Sequence, residues 1–271
     1  MARLPIEARL WKEKAELDYI GPFIKAWAAF NAWFRHETQS RSDRHGLTYV
    51  RERANPVRAE ILPLLRPVRN DEHGRRIPDT EEAQEFKLLV AELHSRLEAY
   101  RIEVFEDERL NQISFRSVCL NRGVNLPQTR PYNRHVYTVT KAHGQWSSEV
   151  RRDNGQVRFV LQQDNYDLQG LIEHHDFINS LSPVQQDQLR NLYQQCNPRP
   201  LSDLTAGGDR PIQAGDIAFH CQDTDLFCGL IEVIYSMRNA LLHGELQPEE
   251  QAFRAYEPAY RIVMKFLDCV R

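Results

Sequence analysis

"HVYTVTKAHGQWSSEVRRDNGQVRFVLQQ", residues 135–163, decides the fold, because here the chain changes character and becomes dense in β-branched and aromatic residues. Asp153, Asn154 and Gly155 separate "EVRR" from "QVRFVLQ" as a turn signal, so the stretch reads as a hairpin. The expectation is a small β insertion of two or three strands at about 134–163. On both sides the apolar spacing is helical. The expected fold class is mainly α: a helical bundle with a small β-hairpin insertion between two helical halves. It is read as a single domain over residues 1–271, with a β-containing insertion at about 115–165.

Towards the N-terminus, "PFIKAWAAFNAWFRHE" (22–37) opens on a proline suited to a first helical turn and spaces Phe23, Trp27, Phe30 and Phe34 by four, three and four. Ile24, Ala28 and Trp33 widen its apolar surface. A shorter helix is expected from Ile6 to about Asp18, and Pro56 and Pro63 break a helix-compatible segment at 47–65. Asp79 or Thr80 caps a long helix with Glu81, Glu82 and Glu85 in its first turns. Its stripe of Phe86, Val90, Leu93 and Leu97 runs on to about Phe105. Towards the C-terminus, helices are expected at 167–180 and from Ser182 and Pro183 to about Cys196, followed by a Pro- and Gly-rich loop at 197–216. Phe227, Leu230, Ile234, Met237 and Leu241 then form one stripe, and Tyr260, Val263, Met264 and Leu267 another in the last helix.

Hydrophobic residues at 41% supply a packed core, and no stretch approaches the roughly 18 uninterrupted apolar residues of a membrane span. The N-terminal stretch has no apolar run of signal-peptide type, so the cytoplasm is the expected location. Five scattered cysteines without a C-x-x-C pair suggest reduced, mostly buried thiols. His174 and His175 point about 100° apart on a helix, with no second ligand cluster, and no metal or other cofactor is expected. The net charge is -3, but the 35 cations comprise 29 Arg and 6 Lys, and they are unevenly spread. Residues 35–76 hold ten Arg against six acids, and residues 115–158 hold seven Arg and one Lys against Glu149 and Asp153. Guanidinium groups fit phosphate with two parallel hydrogen bonds, so these zones are compatible with a nucleic-acid partner or with a solvated, ion-paired surface.

"IYSMRNALLHGEL" (234–246) ends an apolar helix with Arg238, Asn239, His243 and a stop at Gly244. Spacing alone means little, because Arg130 and His135 have the same separation in a proline-containing loop. Five residues along a helix are about 140° and roughly 7.5 Å apart, so the two side chains would flank a groove. Histidine can take and return a proton near neutral pH, as cleavage of an RNA phosphodiester requires, while arginine would hold the phosphate and stabilise charge on its oxygens. Asn239 would add an uncharged hydrogen bond. Equally, the pair could end the helix and nothing more, with Arg238 bound to Glu232 or Glu245.

"MRNALLHGEL" resembles the R-x4-6-H signature of the HEPN superfamily (higher eukaryotes and prokaryotes nucleotide-binding). "FIKAWAAFNAWFRHE" is similar to the aromatic first helix of its prokaryotic members, and "YEPAYRIVMKFL" to their closing helix. The resemblance covers about 55 residues at the two ends of the chain. It implies a HEPN-like helical domain that forms a homodimer with a composite cleft, and metal-independent endoribonuclease activity with Arg238, His243 and Asn239 as the catalytic set. It also implies a toxin, anti-phage or RNA-processing role, with RNA as substrate and an antitoxin or sensor as a further partner. Arg130, Arg134, Arg151 and Arg152 would help to grip the RNA. The alternative is a catalytically inactive HEPN-like module that binds nucleotide, RNA or protein. Members paired with a nucleotidyltransferase antitoxin carry tyrosine two residues after the histidine; Glu245 stands there instead, so regulation by tyrosine modification is not supported.

Overall fold

A computed structural model describes residues 18–270 apart from 69–71, 74, 76, 107–108, 121–123, 209–210 and 247–249. The short helix expected at 6–18 falls outside them but for its last residue. The chain order is α1 (Ile20–Thr38), α2 (Asp43–Glu52), α3 (Pro56–Leu64), α4 (Glu81–Ala99), β1 (Glu103–Glu106), β2 (Arg109–Gln112) and β3 (Val118–Cys119). Then come β4 (Gln128–Tyr132), β5 (His135–Ala142), β6 (Gln145–Arg152), β7 (Val157–Gln163), α5 (Leu168–Ile172), α6 (His175–Ser180) and α7 (Pro183–Gln195). β8 (Leu201–Ser202), β9 (Ile212–Ala214), β10 (Ile217–Phe219), α8 (Asp223–Leu242) and α9 (Glu250–Asp268) complete it.

The fold is mixed α/β, which corrects the expected mainly α bundle with a small hairpin. Helix takes 51% of the structure and strand 18%, in one four-stranded and three two-stranded sheets among the described residues. Two causes account for the difference. "QTRPY" adds β4 to the edge of the expected strands, although Pro131 donates no hydrogen bond. Elsewhere the strands are too short for periodicity to show: in β9, Ile212 and Ala214 are buried and Gln213 is exposed, within the expected loop. The long helix also stops at Ala99 rather than near Phe105, and β1 follows it.

Residues divide into two compact units, 1–120 with 202–271, and 121–201. In the first, α1 buries Phe23, Trp27, Phe30 and Phe34, the face its spacing defines. Phe23 meets Tyr256 of α9 edge-on at 5.2 Å between ring centres, and Phe30 meets Phe266 at 5.4 Å. The apolar stripe of α9 is rotated from the expected one: Tyr256, Val263 and Phe266 are buried, whereas Met264 is 37% exposed. Gly46 of α2 lies against Phe34, and a Cβ there would come 2.1 Å from the ring, so only glycine permits this approach. Thr80 rather than Asp79 caps α4, its side chain accepting from Ala83 N–H at 3.2 Å.

The second unit is an antiparallel sheet in the order β4-β5-β6-β7 with helices on one face. Alternation places Tyr137, Val139, Trp146, Val150 and Phe159 in a core with Leu189, Leu192 and Tyr193. Ser182 and Gln185 form a full capping box at the start of α7, with Pro183 in its first turn as expected.

Candidate functional site

α8 carries the candidate site. Asp223 and Asp225 suit its positive N-terminal end, and Phe227, Leu230, Ile231, Ile234 and Met237 bury its apolar face. Three backbone bonds close the other end. His243 N–H donates to the Asn239 carbonyl at 2.9 Å, Gly244 N–H to Leu241 at 3.3 Å, and Glu245 N–H to Ala240 at 2.9 Å. The last two, with Gly244 at φ +70°, form a Schellman motif. His243 is thereby held as the residue just beyond the last helical turn. Its side chain is exposed, and no described residue hydrogen-bonds its ring.

Arg238 is half-buried and held on two sides. Nη1 donates to Asn239 Oδ1 at 2.9 Å, and Nη2 lies 3.6 Å from Asp43 Oδ2. Asp43 is the first residue of α2, placed by Ser42, whose hydroxyl accepts from His45 N–H. Its other oxygen, Oδ1, accepts from Asn31 Nδ2 at 2.9 Å and pairs with Arg35 Nη2 at 3.0 Å. A carboxylate shared by two guanidinium groups leaves Arg238 oriented and only partly neutralised. Buried Nε of Arg238 has no acceptor among the described residues.

Neither carboxylate expected beside Arg238 pairs with it among the described residues. Glu232, nearly two turns earlier on α8, binds Arg44 at 2.7 Å and the buried Arg51, which also donates to the Leu120 carbonyl. Arg44 lies over the Tyr235 ring, 4.9 Å from its centre. Burial works against the charge on Arg51, but Glu232 and Cys228 outweigh it and raise its pKa. Asp43, Asn31 and Arg35 are the site residues that sequence reasoning missed. Asp43 follows a capping serine, but its partner lies 195 positions away (238 minus 43), and no local pattern records such a contact.

The residues expected to hold RNA all lie in the second unit. Arg130 donates to Gln195 at 2.6 Å, Arg151 pairs with Glu149, and Arg152 donates to Gln156 at 3.0 Å. Arg134 sits exposed in the β4–β5 turn at φ +58°. His135, partner of Arg130 in the look-alike spacing, has its ring nitrogens engaged by Asn133 and Gln185. His174 caps α6 and His175 lies beside Asp176. No cluster of three or more His, Cys, Asp or Glu that could hold a metal occurs among the described residues. The cysteines form no disulfide among the described residues, and burial pushes the Cys196 thiol up to about 11. No helix of the described residues is long and apolar enough to cross a membrane.

Comparison of the chain with protein-family models, with curated proteins and with solved structures finds no match.

Proposed function

We propose that the protein is a metal-independent endoribonuclease of HEPN type, with Arg238 and His243 as its working pair and Asn239 assisting. One observation carries the reading: an exposed histidine, its ring bonded by no described residue, ends the same helix on which a half-buried arginine is oriented by a carboxylate. The three segments that resemble the superfamily also form α1, α8 and α9 of one unit, where Trp27 and Tyr235 rings lie 6.0 Å apart and α9 packs on α1.

His243 would move the proton. As the 2′-oxygen attacks phosphorus, its proton passes to a base; the bond to the 5′-oxygen breaks and that oxygen is protonated. Arg238 would bear on the phosphate oxygens as charge develops there, with Asp43 and Asn239 setting the orientation of the guanidinium. A second copy of the chain would supply the other pair of a composite cleft. The products would be a 2′,3′-cyclic phosphate and a 5′-hydroxyl.

The test is an RNA whose mapped cleavage position carries a single 2′-deoxy nucleotide. The expected result is no cut at that position, with cyclic phosphate ends at the remaining cuts. Equal cutting at the 2′-deoxy position would overturn the chemistry. One observation favours a second reading, a catalytically silent RNA- or protein-binding module: Arg238 is already partly satisfied by Asp43. Binding of RNA without any cleavage would select it.

A further inference from the structure

The second unit is electrically polarised between its layers. Its sheet half, residues 124–163, carries five Arg and one Lys against Glu149 and Asp153. Its helical half, residues 164–201, carries two Arg against five acids. Helices cover one sheet face, so strand register decides what the other presents. Thr129 and Thr138 share one row with Glu149 and Val160, while Thr140, Ser147 and Gln162 form another. These outward positions hold no aromatic ring.

Arginine collects at one end of this face. Asp153 N–H donates to the Arg134 carbonyl at 3.0 Å, which ties the β4–β5 and β6–β7 turns side by side. The register shift beyond Val150 leaves Arg158 exposed next to the buried Phe159. Arg151 is neutralised by Glu149, and Arg130 is spent on Gln195. Arg134 and Arg158 remain, both exposed and without a carboxylate partner among the described residues, whereas Arg152, in register with His135, lies on the helix-covered side.

We propose that this face binds RNA through its sugar-phosphate backbone, with Arg134 and Arg158 on phosphates and the threonine and serine rows on 2′-hydroxyls. The chemistry selects this occupant. Exposed guanidinium groups without acids bind phosphate, and hydroxyl rows can both donate to and accept from a 2′-OH, which DNA lacks. Without rings the face cannot stack bases, so it grips with little regard to sequence. The site is carried by the second unit and requires no catalysis at Arg238 and His243, although it takes RNA as the partner from the reading above.

The test uses the full chain carrying His243→Ala, so that RNA is not consumed, with or without Arg134→Gln and Arg158→Gln together. Probes are a labelled single-stranded RNA of mixed sequence, DNA of the same sequence, and phosphatidylserine vesicles. Loss of two phosphate contacts should weaken RNA binding on the order of fivefold and flatten the slope of log K against log salt by about 1.4. The thermal midpoint should not move, and Arg190→Gln on the helical side should change nothing. Unchanged affinity and slope in the double variant would overturn the proposal, as would equal binding of DNA or binding of vesicles in place of RNA. Binding without cleavage in the unsubstituted chain would sink the nuclease reading while leaving this one standing.

Discussion

Two acids order the charged residues around α8, and they do different things. Asp43 touches the arginine that would meet substrate, whereas Glu232 neutralises two arginines that hold α2 to α8. Both Glu232 and Arg51 are buried, so removing the carboxylate alone strands a guanidinium inside the protein. Glu232→Ala should therefore destabilise the fold by about 3–5 kcal/mol, read as a lower midpoint of denaturant unfolding. A midpoint unchanged in that variant would show that the network does not hold the unit together. The sequence displays Arg238 and His243 because a helix end is a local pattern. It hides Asp43, Arg35 and Asn31 because their role is a contact between distant segments.

Helices are legible where one face is buried, as in α1 with its aromatic spacing, or where the start is capped, as in α7 with Ser182, Gln185 and Pro183. Short strands are not, since β9 has three residues and offers no run in which alternation can be read. α4 carries a consequence for pH. His94 lies 5% exposed between the rings of Phe115 and Phe219, with Nδ1 unpartnered among the described residues, and burial pushes its pKa below the ordinary histidine value. The unfolded chain takes up a proton as pH falls through about 6.5, while the folded chain does so only at lower pH. Stability is thus fully present above that value and declines as pH drops from it towards the folded pKa. His94→Leu should shrink the loss of stability between pH 7.5 and 5.5, measured by urea unfolding at each pH. An identical loss in wild type and variant would assign the acid sensitivity elsewhere.

At the scale of the whole molecule, the chain keeps two hydrophobic cores in two units, and the candidate chemistry and the candidate grip fall in different ones. Composition gave the arginine bias but not its distribution. Only the folded side-chain contacts separate the exposed arginines without a carboxylate partner among the described residues from those already spent on Glu149 or Gln195. The claim that Arg238 and His243 cut RNA is tested most directly by incubating the purified chain with total RNA in EDTA beside Arg238→Ala and His243→Ala. Cleavage by the unsubstituted chain, slowed about 10²- to 10⁴-fold on loss of His243, is the predicted result. Cleavage that persists unchanged in both variants would contradict it.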